Sequence, residues 1–138
     1  MNEVRSVALF SIVVDEYDLA IRHYCDDLGF ELVADVDQGR KRFVVVRPAG
    51  APPSASGIVL AEASDDAQRA RIGNQTGGRV GFFLHTNDFE RDHAAMTAAG
   101  VRFHEEPRHE IYGTVAVFQD AYGNLWDLLE PIDGIAGA

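Results

Sequence analysis

An aspartate stands in the middle of an otherwise apolar run, Leu125-Trp-Asp-Leu-Leu129, near the end of the 138-residue chain. A carboxylate carried into an apolar wall needs a partner or takes a raised pKa. Asp127 therefore suits a general base or an anchor for a ligand cation. It equally suits a structural aspartate bonded to backbone amides or to an arginine. Glu62 and His85 close two other apolar runs. Because residues two apart on a strand share a face, Glu62, His85 and Asp127 could look into one cavity as a non-standard metal set. Against this, His85 reads as the exposed exit of its strand and Glu62 as the start of a linker. His93 falls on the core side of a helix and reads as packed. His23, His104 and His109 read as surface or loop residues, His109 bordering Tyr112. Cys25 has no histidine partner in any motif sense and reads as inert. Arg69 and Arg71 suit a salt bridge across a dimer or an anionic ligand.

These residues are placed by elements that occur twice, at a spacing of about 70 residues. Val7-Ala-Leu-Phe-Ser-Ile-Val-Val-Asp15 and Val80-Gly-Phe-Phe-Leu-His-Thr-Asn87 share one plan, with Leu9 on Gly81. Each predicts a strand followed by a helix, capped by Asp15 with Asp18 at N3 and by Asn87 with Glu90 at N3. Tyr17, Ala20, Ile21, Tyr24 and Leu28 make one buried helical face, and Phe89, His93 and Met96 its counterpart. Gly29 and Gly100 suit left-handed helix ends. Strands are predicted over Phe30 to Asp35, Arg42 to Arg47 and Ile58 to Glu62, then over Val101 to Glu106, Thr114 to Gln119 and Leu125 to Glu130. Each half reads β-α-β-β-β: module 4–63, linker 64–79 with a short helix in Asp65 to Ile72, module 80–131, and a fraying tail 132–138.

Composition bounds the function. A single cysteine excludes an internal disulfide and suits a reducing cytoplasm, and no apolar stretch reaches the roughly 18 residues of a membrane span. Twelve basic against twenty-two acidic residues give a formal charge of −10, which argues against nucleic acid and anionic lipid as partners. That balance would attract cationic ligands, although solubility alone explains it as well.

Three segments carry a resemblance: Ile12-Val-Val-Asp-Glu-Tyr-Asp-Leu-Ala-Ile-Arg-His-Tyr24 with Leu28-Gly-Phe30; Ala98-Ala-Gly-Val101; and Tyr112-Gly-Thr-Val-Ala-Val-Phe-Gln-Asp-Ala-Tyr-Gly-Asn124. They are similar to the entry helix, second-helix exit and final hairpin of the vicinal-oxygen-chelate (glyoxalase/bleomycin-resistance/dioxygenase) superfamily. The resemblance implies an α+β fold of two paired β-α-β-β-β modules whose curved mixed sheets enclose a cavity, usually in a homodimer. Its metal enzymes take ligands from four inward strand positions, which fall here on Leu9, Gly81, Leu60 and Asp127, with Gly57 set on Asn124. One carboxylate falls short of the three or more ligands that zinc, nickel or iron takes from protein. The expectation is therefore a metal-independent protein without cofactor.

On this reading Leu9, Ser11, Leu60, Gly81, Phe83 and His85 line a mainly apolar small-molecule pocket, with Tyr112 at its mouth and Asp127 and Glu62 as its acids. Gly81, lacking a side chain, leaves room for the ligand. The expected function is sequestration of a cationic or aromatic compound, as in the bleomycin-resistance branch. The alternative is a glyoxalase-like lyase or another enzyme using Asp127 and Glu62, with or without an unusual metal site.

Overall fold

The computed structural model describes residues 3–132; the predicted tail lies outside them except for Ile132. The chain divides between Arg69 and Ala70 into two halves. No helix among the described residues is long and apolar enough to cross a membrane.

The first half runs β1 (Leu9–Val14), α1 (Tyr17–Arg22), β2 (Phe30–Asp37), β3 (Arg42–Pro48), β4 (Gly57–Glu62) and a short α2 (Asp66–Arg69). Its sheet has the order β1-β4-β3-β2, with β1 and β4 parallel and the other pairs antiparallel. The second half runs β5 (Val80–His85), α3 (Phe89–Ala98), β6 (Arg102–Phe103), β7 (Arg108–Glu110), β8 (Gly113–Gln119) and β9 (Leu125–Pro131). Its order is β5-β9-β8-β6, β7 also pairs with β8, and β5 and β9 are parallel. The predicted mixed α+β architecture, few helices on β sheets, is present in both halves.

Each helix buries the face that its spacing predicts. Ala20, Tyr24 and Leu28 are buried over Ile12, Val14, Val44, Val46, Ile58 and Leu60, and Tyr24 meets Phe30 edge-to-face at 5.3 Å. In the second half Phe89, His93, Phe103, Phe118 and Trp126 form a run of rings with neighbouring centroids 4.3 to 5.8 Å apart. His93 is thus a packed residue, as its spacing suggests. Gly29 and Gly100 take φ of 77° and 91°, the left-handed ends expected of them.

The helix starts differ from expectation. The residue preceding α1 is Glu16, not Asp15, and its side chain makes no cap bond. Instead the Tyr17 N–H donates to Glu62 Oε2 at 3.2 Å. The cap of α3 is Asp88, one residue beyond Asn87, accepting from the Arg91 N–H at 3.1 Å, while the Phe89 N–H donates to Glu130 Oε1 at 2.7 Å. A carboxylate from the last strand of each half thus holds the first N–H of that half's helix, a position where the helix dipole also favours negative charge. After Arg22 the first helix widens into a π-helical turn, His23–Asp27, rather than continuing as predicted.

Of the strand predicted over Val101 to Glu106 only Arg102–Phe103 pairs with β8, and a second short strand, Arg108–Glu110, pairs with β8 beyond the predicted range. Pro107 interrupts them, and between them Glu105 Oε2 accepts the Val117 N–H at 2.9 Å, taking the part of a ladder carbonyl. In the predicted linker helix only Asp66–Arg69 is helical.

Candidate functional site

Register decides which side chains share a face. In the second half Phe83 pairs with Asp127, His85 with Leu129, Val117 with Asp127 and Val115 with Leu129. These six therefore lie on the sheet face away from α3, whereas Trp126, Leu128 and Phe118 lie under the helix. Phe83 is 63% exposed and His85 is also exposed, so this face presents a ring and an imidazole beside Asp127.

Asp127 Oδ1 is buried and makes no hydrogen bond. Burial pushes its carboxyl above the ordinary 3.8, Arg108 acts against that rise and Glu105 adds to it. Arg108 is held by charge-assisted bonds from Nε to Glu105 Oε1 and from Nη1 to Glu110 Oε1, each 2.9 Å, and Tyr112 is a further hydrogen-bonding neighbour. Those partners hold the guanidinium well above its usual range and permanently charged. The site is thus an acid with an uncommitted oxygen, a fixed guanidinium and an exposed aromatic ring. Sequence reasoning missed Arg108 and Glu105; the signal available was the Glu105-x-x-Arg108-x-Glu110 alternation beside Tyr112.

In the first half Leu9, Ser11 and Val13 share the face away from α1, and Leu9 is 41% exposed. Leu60 and Glu62 do not join them. Leu60 pairs with Ile12 and is fully buried under the helix, and Glu62 pairs with Val14 and holds the start of α1. The residues of β4 on the Leu9 face are Gly57, Val59 and Ala61. Setting Gly57 on Asn124 slipped the repeat by one residue, which turns every side chain of a strand over. Glu62 and Glu130, which do the same job, give the true correspondence, and it sets Val59 on Asp127.

The space expected at Gly81 is also filled. A Cβ there would lie 2.3 Å from Thr76 Cγ2, so the linker threonine occupies the room meant for a ligand. Tyr112 lies half-buried in the turn before β8, within reach of Arg108 as described.

The four strand positions now carry Leu9, Gly81, Val59 and Asp127, a donor set that does not fit a chelated metal. Among the described residues no three His, Cys, Asp or Glu side chains are grouped to hold an ion. Burial, with Asp26 adding to it, pushes the Cys25 thiol up and away from the thiolate form.

The sequence pattern of the Glyoxalase/Bleomycin resistance protein/Dioxygenase superfamily matches residues 6–128. The chain belongs to this superfamily. An uncharacterized protein of Shewanella frigidimarina (strain NCIMB 400) is 47% identical over 128 residues, covering 91% of this chain and 93% of that protein. Among solved structures of the glyoxalase/bleomycin-resistance fold, UcmS2 matches with a TM-score of 0.79 and 27% identity, over 93% of this chain and 99% of that one. TnmS3, an antibiotic binding protein from Streptomyces sp. CB03234, matches with a TM-score of 0.75 and 28% identity, over 96% and 100%. The superfamily houses both enzymes and binding proteins, so the choice between them rests on the site.

Proposed function

We propose that this superfamily member is a metal-independent binding protein that sequesters a small aromatic or cationic compound, with Asp127 as its polar anchor. The observation that carries the reading is the buried, unbonded Asp127 Oδ1 on a face that also offers the exposed Phe83 ring. The half-buried Asp127 recovers its lost hydrogen bond when the carboxyl turns its buried oxygen toward a ligand donor, and a flat ring provides stacking area at little entropic cost. The similarity to an antibiotic binding protein supports the same class of cargo. Of the acids expected to work together in an enzyme, Glu62 is engaged in holding α1 and faces the helix side of its own sheet. The reading includes the expected homodimer, which sedimentation equilibrium tests directly.

The test is a thermal-shift and calorimetric screen of cationic glycopeptides of the bleomycin type and of planar polycyclic antibiotics. A true ligand at about 100 times its Kd raises stability by about 2.7 kcal/mol. Asp127→Asn and Phe83→Ala should each weaken that ligand at least tenfold while the fold persists. Affinity unchanged in Asp127→Asn would remove the anchor, and turnover of the bound compound would replace the binding reading with an enzymatic one.

A further inference from the structure

The two halves repeat one plan, and strand register says which residue stands for which. Tyr17 and Phe89 each open a helix with the N–H on a last-strand glutamate. Val45 pairs with Val59 as Val117 pairs with Asp127, so β3 and β8 correspond. Arg42, opposite Asp37, then corresponds to Thr114, opposite His109. By the same count Glu90 stands for Asp18 and Pro107 for Asp35.

In the first half this place is filled from within the chain. The Arg42 guanidinium lies 5.1 Å from the Tyr17 ring centroid. Its Nη1 donates to Asp18 Oδ1 at 2.9 Å, and its Nε and Nη2 donate to Asp35 at 3.1 and 2.7 Å. In the second half Thr114 is too short to reach the helix. A cavity of about 520 Å³ stands in that place, walled by Phe89, Glu90, His93, His109, Thr114 and Glu130 among others, with no lysine or arginine in its lining. Phe89, buried at 5% exposure and stacked on His93 at 5.4 Å, and the half-buried His93 form the aromatic part of its wall, and Glu90 keeps the carboxylate at the Asp18 position.

We propose that this cavity is a guanidinium site, whose ligand meets the wall and the Glu90 carboxylate as Arg42 meets Tyr17 and Asp18, while the two bonds that Asp35 accepts have no counterpart because Pro107 stands in its place. A planar, weakly hydrated cation that stacks on rings and bonds carboxylates suits the wall better than a compact ammonium does. The guanidinium comes from a small molecule or from an arginine side chain of another protein. The site lies on the helix side of its sheet, on the other face from Asp127, and does not rest on the function proposed above.

The test is an amide NMR titration of the full chain with phenylguanidinium, benzylammonium and a blocked Gly-Arg-Gly peptide. Saturable shifts are expected at Phe89, Glu90, His109 and Thr114, with phenylguanidinium several-fold tighter than benzylammonium. A peptide that binds more tightly than phenylguanidinium points to a protein arginine as the source, and the reverse order to a small molecule. Glu90→Gln should weaken binding about fivefold, the factor of one exposed ion pair. Thr114→Arg should abolish the shifts by supplying the cation from within, and Asp127→Asn should leave them unchanged. In Arg42→Ala, added phenylguanidinium should newly shift Tyr17 and Asp18. Absence of saturable shifts, shifts centred on Val117 and Asp127, or a folded Thr114→Arg protein that binds as before would overturn the proposal. If Thr114→Arg does not fold, an unchanged affinity in Glu90→Gln overturns it instead.

Discussion

Asp127 carries a cost that depends on pH. Burial, opposed by Arg108 and reinforced by Glu105, raises its pKa above 3.8, so the folded chain holds this proton to higher pH than the unfolded chain does. Between the two values the native state binds more protons, and stability falls as pH rises. The penalty is complete above the folded value and absent below the unfolded one. Asp127→Asn should therefore melt higher than the wild type near neutrality, and the gain should vanish as pH drops below 3.8. Thermal unfolding across the acid range checks this, and an asparagine variant less stable at neutrality would mean that the carboxylate is satisfied in the fold. Gly81 makes the opposite kind of site, where anything added is too much. Its Cβ would sit 2.3 Å from Thr76 Cγ2, so Gly81→Ala should cost about 1–3 kcal/mol in urea unfolding. The chemistry of Asp127 was legible in the sequence because an acid in an apolar strand has few explanations. Its neighbour Arg108 was not, since a two-strand break at Pro107 brings it there and nothing in the local pattern announces that break.

At the scale of elements, the two helices depend on carboxylates far along the chain. Removing such a cap costs about 1 kcal/mol, so Glu62→Ala and Glu130→Ala should each lower stability by roughly that amount in chemical denaturation, with Gln in place of Ala recovering part of it. Equal stability of wild type and both alanine variants would show that water serves those N–H groups as well. Strand and helix positions were readable because apolar periodicity and the paired glycines Gly29 and Gly100 mark them twice. Face assignment on β4 was not, because Gly57 looked like a turn residue and lies in the strand, where a Cβ would strike Val45 Cγ1 at 2.9 Å and Leu9 Cδ2 at 3.1 Å. The usable landmark was the repeated glutamate: Val59-Leu-Ala-Glu62 against Asp127-Leu-Leu-Glu130 sets the register without any turn.

At the scale of the whole chain, the formal charge of −10 sets how ligands arrive. A cationic compound should associate more slowly as salt shortens the Debye length below about 10 Å, whereas an uncharged aromatic one should not respond. Stopped-flow Trp126 fluorescence at low and high salt separates the two cargo classes. Elemental analysis should find no stoichiometric transition metal in purified protein; about one tightly held ion per chain would reverse the assignment of the four strand positions. The family was legible from its helix and hairpin segments, while its cargo is written in side-chain contacts that no linear pattern exposes. The glutamate links also bear on how the polypeptide matures. A nascent chain that has emerged from the ribosome only as far as Leu60 exposes every residue of α1 while the carboxylate that closes its first turn is still inside the exit tunnel. Amide protons at the start of α1 should therefore exchange rapidly in stalled nascent chains whose Glu62 is still inside the tunnel and become protected in longer ones from which that residue has emerged.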